Sequence, residues 1–163
     1  SGKVDTVARI IDSGVSIDAR PILGVTPLAV ACLHGKEDVV AYLIQAGARL
    51  DLVDDGNRNT PLILAVENNH EKITNRLLAA GADVNIANKF GNTALILAAQ
   101  NNNTKIVNDL IVSGADVNLK TKEGHPALVF ASYNENVEMA SSLIIAGASV
   151  EPLLELYEET LEN

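Results

Sequence analysis

The chain has 163 residues, 3% of them aromatic, with a net charge of −9 and a sequence pI near 4.7. That length suits one domain with a sizeable core, and the acid excess argues against nonspecific binding to nucleic-acid phosphates. A single cysteine, Cys32, excludes an internal disulfide, and no apolar run approaches the ~20 residues of a membrane span. No secretory leader is read at the start, so a cytoplasmic location is the expectation. The charge is uneven. All twelve Lys and Arg lie at or before Lys122, and from Glu123 onward there are eight Glu and no basic residue.

Glycines set the organisation. Gly14, Gly47, Gly81, Gly114 and Gly147 are 33, 34, 33 and 33 residues apart. Gly81-Ala82-Asp83-Val84-Asn85 and Gly114-Ala115-Asp116-Val117-Asn118 show the segment that follows. A period in this range marks stacked repeats, whose core is a strip and not a ball.

Residues 1–20 match only the second half of a unit, because Gly2-Lys3-Val4-Asp5-Thr6-Val7 parallels Gly35-Lys36-Glu37-Asp38-Val39-Val40. The chain is therefore expected to begin inside a repeat. Residues 21–54 form the first full unit. Thr26-Pro27 opens a helix, since Thr caps free N–H groups and Pro has the φ of a first helical position. Leu28, Ala31 and Cys32 share one face of it. His34-Gly35-Lys36 breaks that helix. Val39, Val40, Leu43 and Ile44 stripe a second helix, and Gly47 ends it.

Residues 55–87, 88–120 and 121–151 repeat this plan from Thr60-Pro61-Leu62, Thr93-Ala94-Leu95 and Pro126-Ala127-Leu128, the last weakened. The turn between helices uses Gly35, Asn69, Asn102 and then Glu135. Gly and Asn tolerate φ > 0 there; Glu does not, so a shifted turn is expected at Glu135. Residues 152–163 form a last helix from Pro152. Leu153, Leu156 and Tyr157, with Leu154 and Leu161, are expected to make an apolar face over an acidic one, as a terminal cap requires.

Gly24-Val25-Thr26-Pro27-Leu28, Asn59-Thr60-Pro61-Leu62 and Gly91-Asn92-Thr93-Ala94-Leu95, with the Gly-Ala segments, resemble the ankyrin repeat family from Gly2 to about Glu151. The resemblance implies an all-α solenoid of stacked helix-turn-helix units with short β-hairpin finger loops and a C-terminal capping helix. It implies partners docked on finger tips and inner helices of a concave face. The chain departs from the family at Ala29, Ile63, Ile96 and Val129, where His is common, so the family's polar bridge between turns lacks its His. Arg58 stands where Gly is usual, and an extra residue near Asp54-Asp55-Gly56 predicts a finger of altered shape.

Catalysis needs converging acids, bases or nucleophiles. The three histidines lie on three different units. His70 reads as structural beside a turn, and His34 and His125 as solvated. No His or Cys pair has metal-ligand spacing, so no catalytic, cofactor or metal site is assigned. Cys32 reads as a small packed residue, and Phe130 as core. Asn101-Asn102-Asn103 reads as turn chemistry. Asn85 and Asn118 are expected to tie their own hairpins by local hydrogen bonds. The resemblance adds that such Asn residues can be hydroxylated, often with Leu eight residues earlier, where Leu77 and Leu110 stand.

Large apolar residues stand where a stack does not need them. Ile22, Leu23, Leu33, Phe90 and Tyr133, with the polar Asn59, Gln100 and Asn101, are the expected partner-binding set. The reading is a monomeric protein-interaction module for a protein or peptide, with no enzyme activity, nucleic acid or membrane insertion. The alternative is a targeting or regulatory domain of a larger enzyme, channel or secreted effector acting in a host cytosol.

Overall fold

The computed structural model describes residues 2–21 and 23–161. Ten helices follow in order among them: α1 (Gly2–Asp12), α2 (Pro27–Leu33), α3 (Glu37–Gln45), α4 (Pro61–Glu67), α5 (Glu71–Ala79), α6 (Ala94–Gln100), α7 (Thr104–Val112), α8 (Ala127–Tyr133), α9 (Val137–Ile145) and α10 (Glu151–Leu161).

The helix starts have local causes. Thr26, Thr60 and Thr93 are buried, and their hydroxyls accept from the N–H of Ala29, Ile63 and Ile96 at 3.2, 3.1 and 3.3 Å. Each satisfies an N–H that the first helical turn leaves unpaired. Pro126 offers no such oxygen, and α8 starts without a side-chain cap. Asn103 and Asn136 cap α7 and α9 through Ile106 and Met139.

The helices form two rows. In the inner row, α2 packs on α4, α4 on α6, α6 on α8, and α8 on α10. In the outer row, α1, α3, α5, α7 and α9 do the same, and each inner helix also packs on the outer helix that follows it. Leu28, Leu62, Leu95 and Leu128 fill the inner layer, and Leu43, Leu77, Leu110 and Leu143 the outer one, all 1% exposed or less. Burying one such side chain is worth about 1.5–3 kcal/mol. Their repetition is what holds the strip together.

Several expectations need correction. Glu135 adopts φ 53°, like Asn69 at 55° and Asn102 at 56°, so the turn is not shifted. Its main-chain bonds explain this. Glu135 N–H reaches Ser132 O at 2.9 Å and Asn136 N–H reaches Ala131 O at 3.0 Å, as Asn69 and His70 reach Val66 and Ala65. The helix pair imposes the turn on whatever residue sits there.

The fingers hold no strand among the described residues, only an isolated bridge between Lys120 and Pro126. Three of the fingers are each closed by one N–H to carbonyl bond: Asp54 to Asn59, Asn88 to Asn92, Thr121 to His125. That is too short a ladder for a hairpin. The first closure spans one residue more, as expected, and Asp54 fills it. Its carboxylate accepts from the N–H of Gly56, Asn57, Arg58 and Asn59, and Arg58 takes φ 59°.

Phe130 is half-buried and not core. On α10, Pro152 is buried and Leu153 and Leu156 are half-buried, but Leu154 and Tyr157 are each 58% exposed. The face against α8 is therefore narrower than expected; the side chain of Leu161 lies outside the described residues.

Candidate functional site

Position in the repeat places the exposed residues in two rows. The last residues of the four seven-residue inner helices are Leu33, Glu67, Gln100 and Tyr133, all exposed. The finger tips carry Leu23, Asn57, Phe90 and Glu123, also exposed. Main-chain bonds tie each tip to the next: Asp55 N–H to Leu23 O at 2.8 Å, Lys89 N–H to Asn57 O at 2.8 Å, and Lys122 N–H to Phe90 O at 2.9 Å. The close approach explains Gly91, since a Cβ there would stand 2.8 Å from the Lys122 nitrogen. The tips thus form a fixed edge.

The two ends of this face are apolar. At one end Leu23 is 71% exposed and Val30 is 44% exposed. Val25, Val30 and His34 share a hollow of about 410 Å³ with Val7, Pro21 and Pro27. At the other end His125, Phe130 and Tyr133 meet edge to face, with ring centroids 6.1 and 6.3 Å apart. Phe90 lies at the finger tip of the unit before, with the Lys89 ammonium 5.0 Å from its ring centre.

Between the ends the face is polar. Glu67 makes no ion pair among the described residues. At the Tyr133 end, Glu123 is held below the usual carboxylate range by its own backbone N–H and the Thr121 hydroxyl.

The expected contact residues divide. Leu23, Leu33, Phe90, Gln100 and Tyr133 share the face just described. Ile22 lies outside the described residues. Asn59 is buried, at 6% exposure, and its side-chain oxygen accepts from Asn88 at 3.0 Å. It therefore builds the finger and offers little to a partner. Asn101 is exposed, but its amide donates to Val66 O and Glu67 O at 3.0 and 3.2 Å. Asn134 reaches Ala99 O in the same way at 2.9 Å. These asparagines bridge neighbouring turns, which a His after Thr-Pro-Leu does not do here. Glu67 and Val30 were not among the expected contacts, and Phe130 was read as core; their spacing to Leu33 and Tyr133 was the available signal.

Asn85 and Asn118 also differ from expectation. They tie one unit to the next, not their own loops. Asn85 Oδ1 accepts from Asp116 N–H at 2.8 Å and its amide donates to Gly114 O at 3.3 Å. Asn118 does the same with Ser149 N–H and Gly147 O at 2.8 and 3.1 Å. Asp18 and Asp51 hold the corresponding places and accept from Arg49 and Asp83 N–H, each at 3.0 Å. The local bonds are made by Asp83 and Asp116, which accept from the N–H of Asn85 and Asn118.

His70 is structural: its ring packs on Gly35 and its Nε2 lies 3.3 Å from Leu33 O. Cys32 is fully buried, and burial pushes its thiol up to about 12, which leaves it protonated. Among the described residues no group of His, Cys, Asp or Glu can hold a metal ion, and no helix is long and apolar enough to cross a membrane.

Paired helices stacked in two rows, with tied finger tips and an amide ladder between units, define a helical repeat protein built to present a surface. A family model for ankyrin repeats in three copies matches residues 1–88 and 72–152, and the chain belongs to the ankyrin repeat family. It is 41% identical over 71 residues to the B-cell lymphoma 3 protein homolog of Mus musculus, covering 44% of this chain and 16% of that protein. It is 31% identical over 90 residues to a putative ankyrin repeat-containing protein of Treponema pallidum (strain Nichols), covering 55% of this chain and 30% of that one. It is 30% identical over 90 residues to palmitoyltransferase Hip14 of Drosophila melanogaster, covering 55% of this chain and 14% of the relative. The chain thus spans less than a third of each of these relatives. Ankyrin repeats are in general non-catalytic protein-interaction modules.

Proposed function

We propose that this chain binds a protein or peptide through the face made by its finger tips and inner helix ends, as a monomer in a cytoplasm and without catalysis. The supporting observation is the pair of apolar ends on that face, above all the rings of Phe130 and Tyr133 packed edge to face and left part-exposed. Rigid aromatic side chains bury large area and lose few rotamers on binding. The tied finger tips preorganise the edge, so little entropy is lost when a partner docks.

The outer row exposes apolar residues too, with Val112 at 88% and Ile145 at 86%. These are aliphatic side chains without a ring, Val112 on α7 and Ile145 on α9, where Val137 and Ile144 are exposed as well, and exposed aliphatic residues are normal on a surface. The test is a pull-down from source-cell lysate, then titration of the captured partner. Replacing Phe90 and Tyr133 by Ala is expected to weaken binding by about 2 kcal/mol or more with the fold intact. Lys72→Glu with Lys105→Glu, or Val112→Ser with Ile145→Ser, should change it far less. The reverse order of effects would place the site on the outer row.

A second reading is that the module targets or regulates a larger enzyme, channel or effector protein. It is favoured by the small share of each relative that the chain covers, one of those relatives being named a palmitoyltransferase. The mass of the native protein on a denaturing gel decides between them.

A further inference from the structure

We infer that the partner segment is acidic, with an apolar side chain for Phe90 flanked by carboxylates for the cations of the neighbouring finger tips. This rests on the binding face proposed above and adds the chemistry of what lies on its finger edge.

The finger edge is the basic part of an acidic chain. Residues 54–58, 88–91 and 120–124, with Arg20 bonded against them, hold five cations and three carboxylates. What the chain does with these charges decides the sign it offers. The carboxylates are engaged. Asp54 accepts four N–H groups of its own finger. Asp55 pairs with Arg20 at 2.8 Å. Glu123 is held by its own backbone N–H and the Thr121 hydroxyl, with a smaller contribution from the charges of His125 and Lys122.

The cations are less engaged. Arg58, Lys120 and Lys122 are exposed and make no ion pair among the described residues. Lys89 lies over the Phe90 ring and 3.3 Å from Gly56 O, both neutral partners, so its charge is not cancelled. No carboxylate outside the fingers pairs with any of them among the described residues. Glu67 and Glu135 lie at and beyond the far ends of α4 and α8, and a seven-residue helix is about 10 Å long. Exposed charges more than about 8 Å apart are largely screened at physiological ionic strength. A segment lying on the fingers therefore meets a local excess of positive charge, although the whole chain carries −9.

The order along the edge sets the order in the partner. Lys89 N–H bonds to Asn57 O and Lys122 N–H to Phe90 O, so three consecutive tips are fixed side by side. Arg58 stands on the first, Lys89 and Phe90 on the second, and Lys122 on the third. Phe90 is 46% exposed between them. Its ring offers apolar area at low rotamer cost, and carboxylates on either side complement the cations.

The experiment is selection of random twelve-residue peptides displayed against the whole chain, then fluorescence titration of synthetic winners at several salt concentrations. Winners are expected to carry Asp or Glu on both sides of an apolar residue and to bind more weakly as salt rises. Arg58→Gln with Lys122→Gln should weaken a winner about tenfold or more and flatten its salt dependence, and Phe90→Ala should weaken it about tenfold. Glu67→Gln should change it less than about twofold. All four positions are exposed, and an unchanged melting curve confirms the fold. Winners that are basic or uncharged, or that need Phe90 and Tyr133 but ignore Arg58→Gln with Lys122→Gln, overturn the acidic segment and leave the binding face standing. A single-stranded oligonucleotide of twelve nucleotides that binds as tightly as the winners would show a site for any polyanion and overturn the peptide assignment. Failure to enrich any peptide overturns this inference and leaves the face to the lysate test. Winners indifferent to Arg58, Phe90, Lys122 and Tyr133 alike overturn the face itself.

Discussion

The middle and the end helices of the inner row are written in the same grammar but buried to different depths. In α4 the residues from Pro61 through Val66 are all buried, and in α6 those from Ala94 through Ala99. In α2 only Leu28, Ala29, Ala31 and Cys32 are, and in α8 only Ala127, Leu128, Val129 and Ala131. One repeat position shows the difference well. Leu64 and Leu97 are 7% exposed, Val30 is 44% exposed, and Phe130 is half-buried. Packing against a full repeat unit on each side, not residue type, sets the depth: among the described residues α2 has no inner helix before it, and α8 has only α10 after it. The apolar ends of the candidate face are where that covering runs thin.

The largest effect that would break this comparison is in the middle. Leu95→Ala is expected to cost about 2–5 kcal/mol in chemical denaturation, because α4 and α8 both pack on its helix. Val30→Ala, in the same measurement, should cost about 0.5 kcal/mol or less. Equal losses would show that the ends are packed as the middle is.

A smaller effect sharpens the picture of the outer row. Thr74 is fully buried in α5, and its hydroxyl has no hydrogen-bond partner among the described residues. Val40 and Val107 occupy the same place in α3 and α7, both 0% exposed. Thr74→Val keeps the shape and removes the unpaired group, so a gain of about 1 kcal/mol is expected. A thermal midpoint that falls would mean the hydroxyl is satisfied.

The smallest concerns the last full unit. Glu135 holds φ 53° without the side chain that suits it. Glu135→Gly should stabilise by about 0.5–1 kcal/mol, since the left-handed strain exceeds the entropy lost to glycine. Asn69→Gly, where Asn already tolerates the turn, should gain less. A loss at Glu135 would show that its side chain has a role there.

Much of this was legible beforehand, and the failures have a common cause. Thr26, Thr60 and Thr93 start helices because capping is a local property, and Gly47 and Gly81 end them for the same reason. Glu135 was misjudged because two main-chain bonds from the preceding helix dictate its turn, whatever its propensity. Asn59 was placed on the surface because nothing local shows that Asn88, 29 residues on, closes over it. Phe130 was placed in the core because its exposure depends on how little lies beyond α8. The ladder of Asp18, Asp51, Asn85 and Asn118 was visible as a period, but its partners are visible only in three dimensions.

That ladder has a bearing on how such a chain can change its length. Each rung joins a residue to one 31 or 32 positions later. A duplicated unit would therefore arrive with both halves of its rungs already in its sequence, and a deleted unit would leave its neighbours able to meet. Whole units are the steps in which the stack can lengthen or shorten without redesign. A single inserted residue inside a helix would instead put the rung that spans it out of register. The one extra residue the chain carries is in the finger at 54–59, where a carboxylate gathers four amides around it and the register of the helices is untouched.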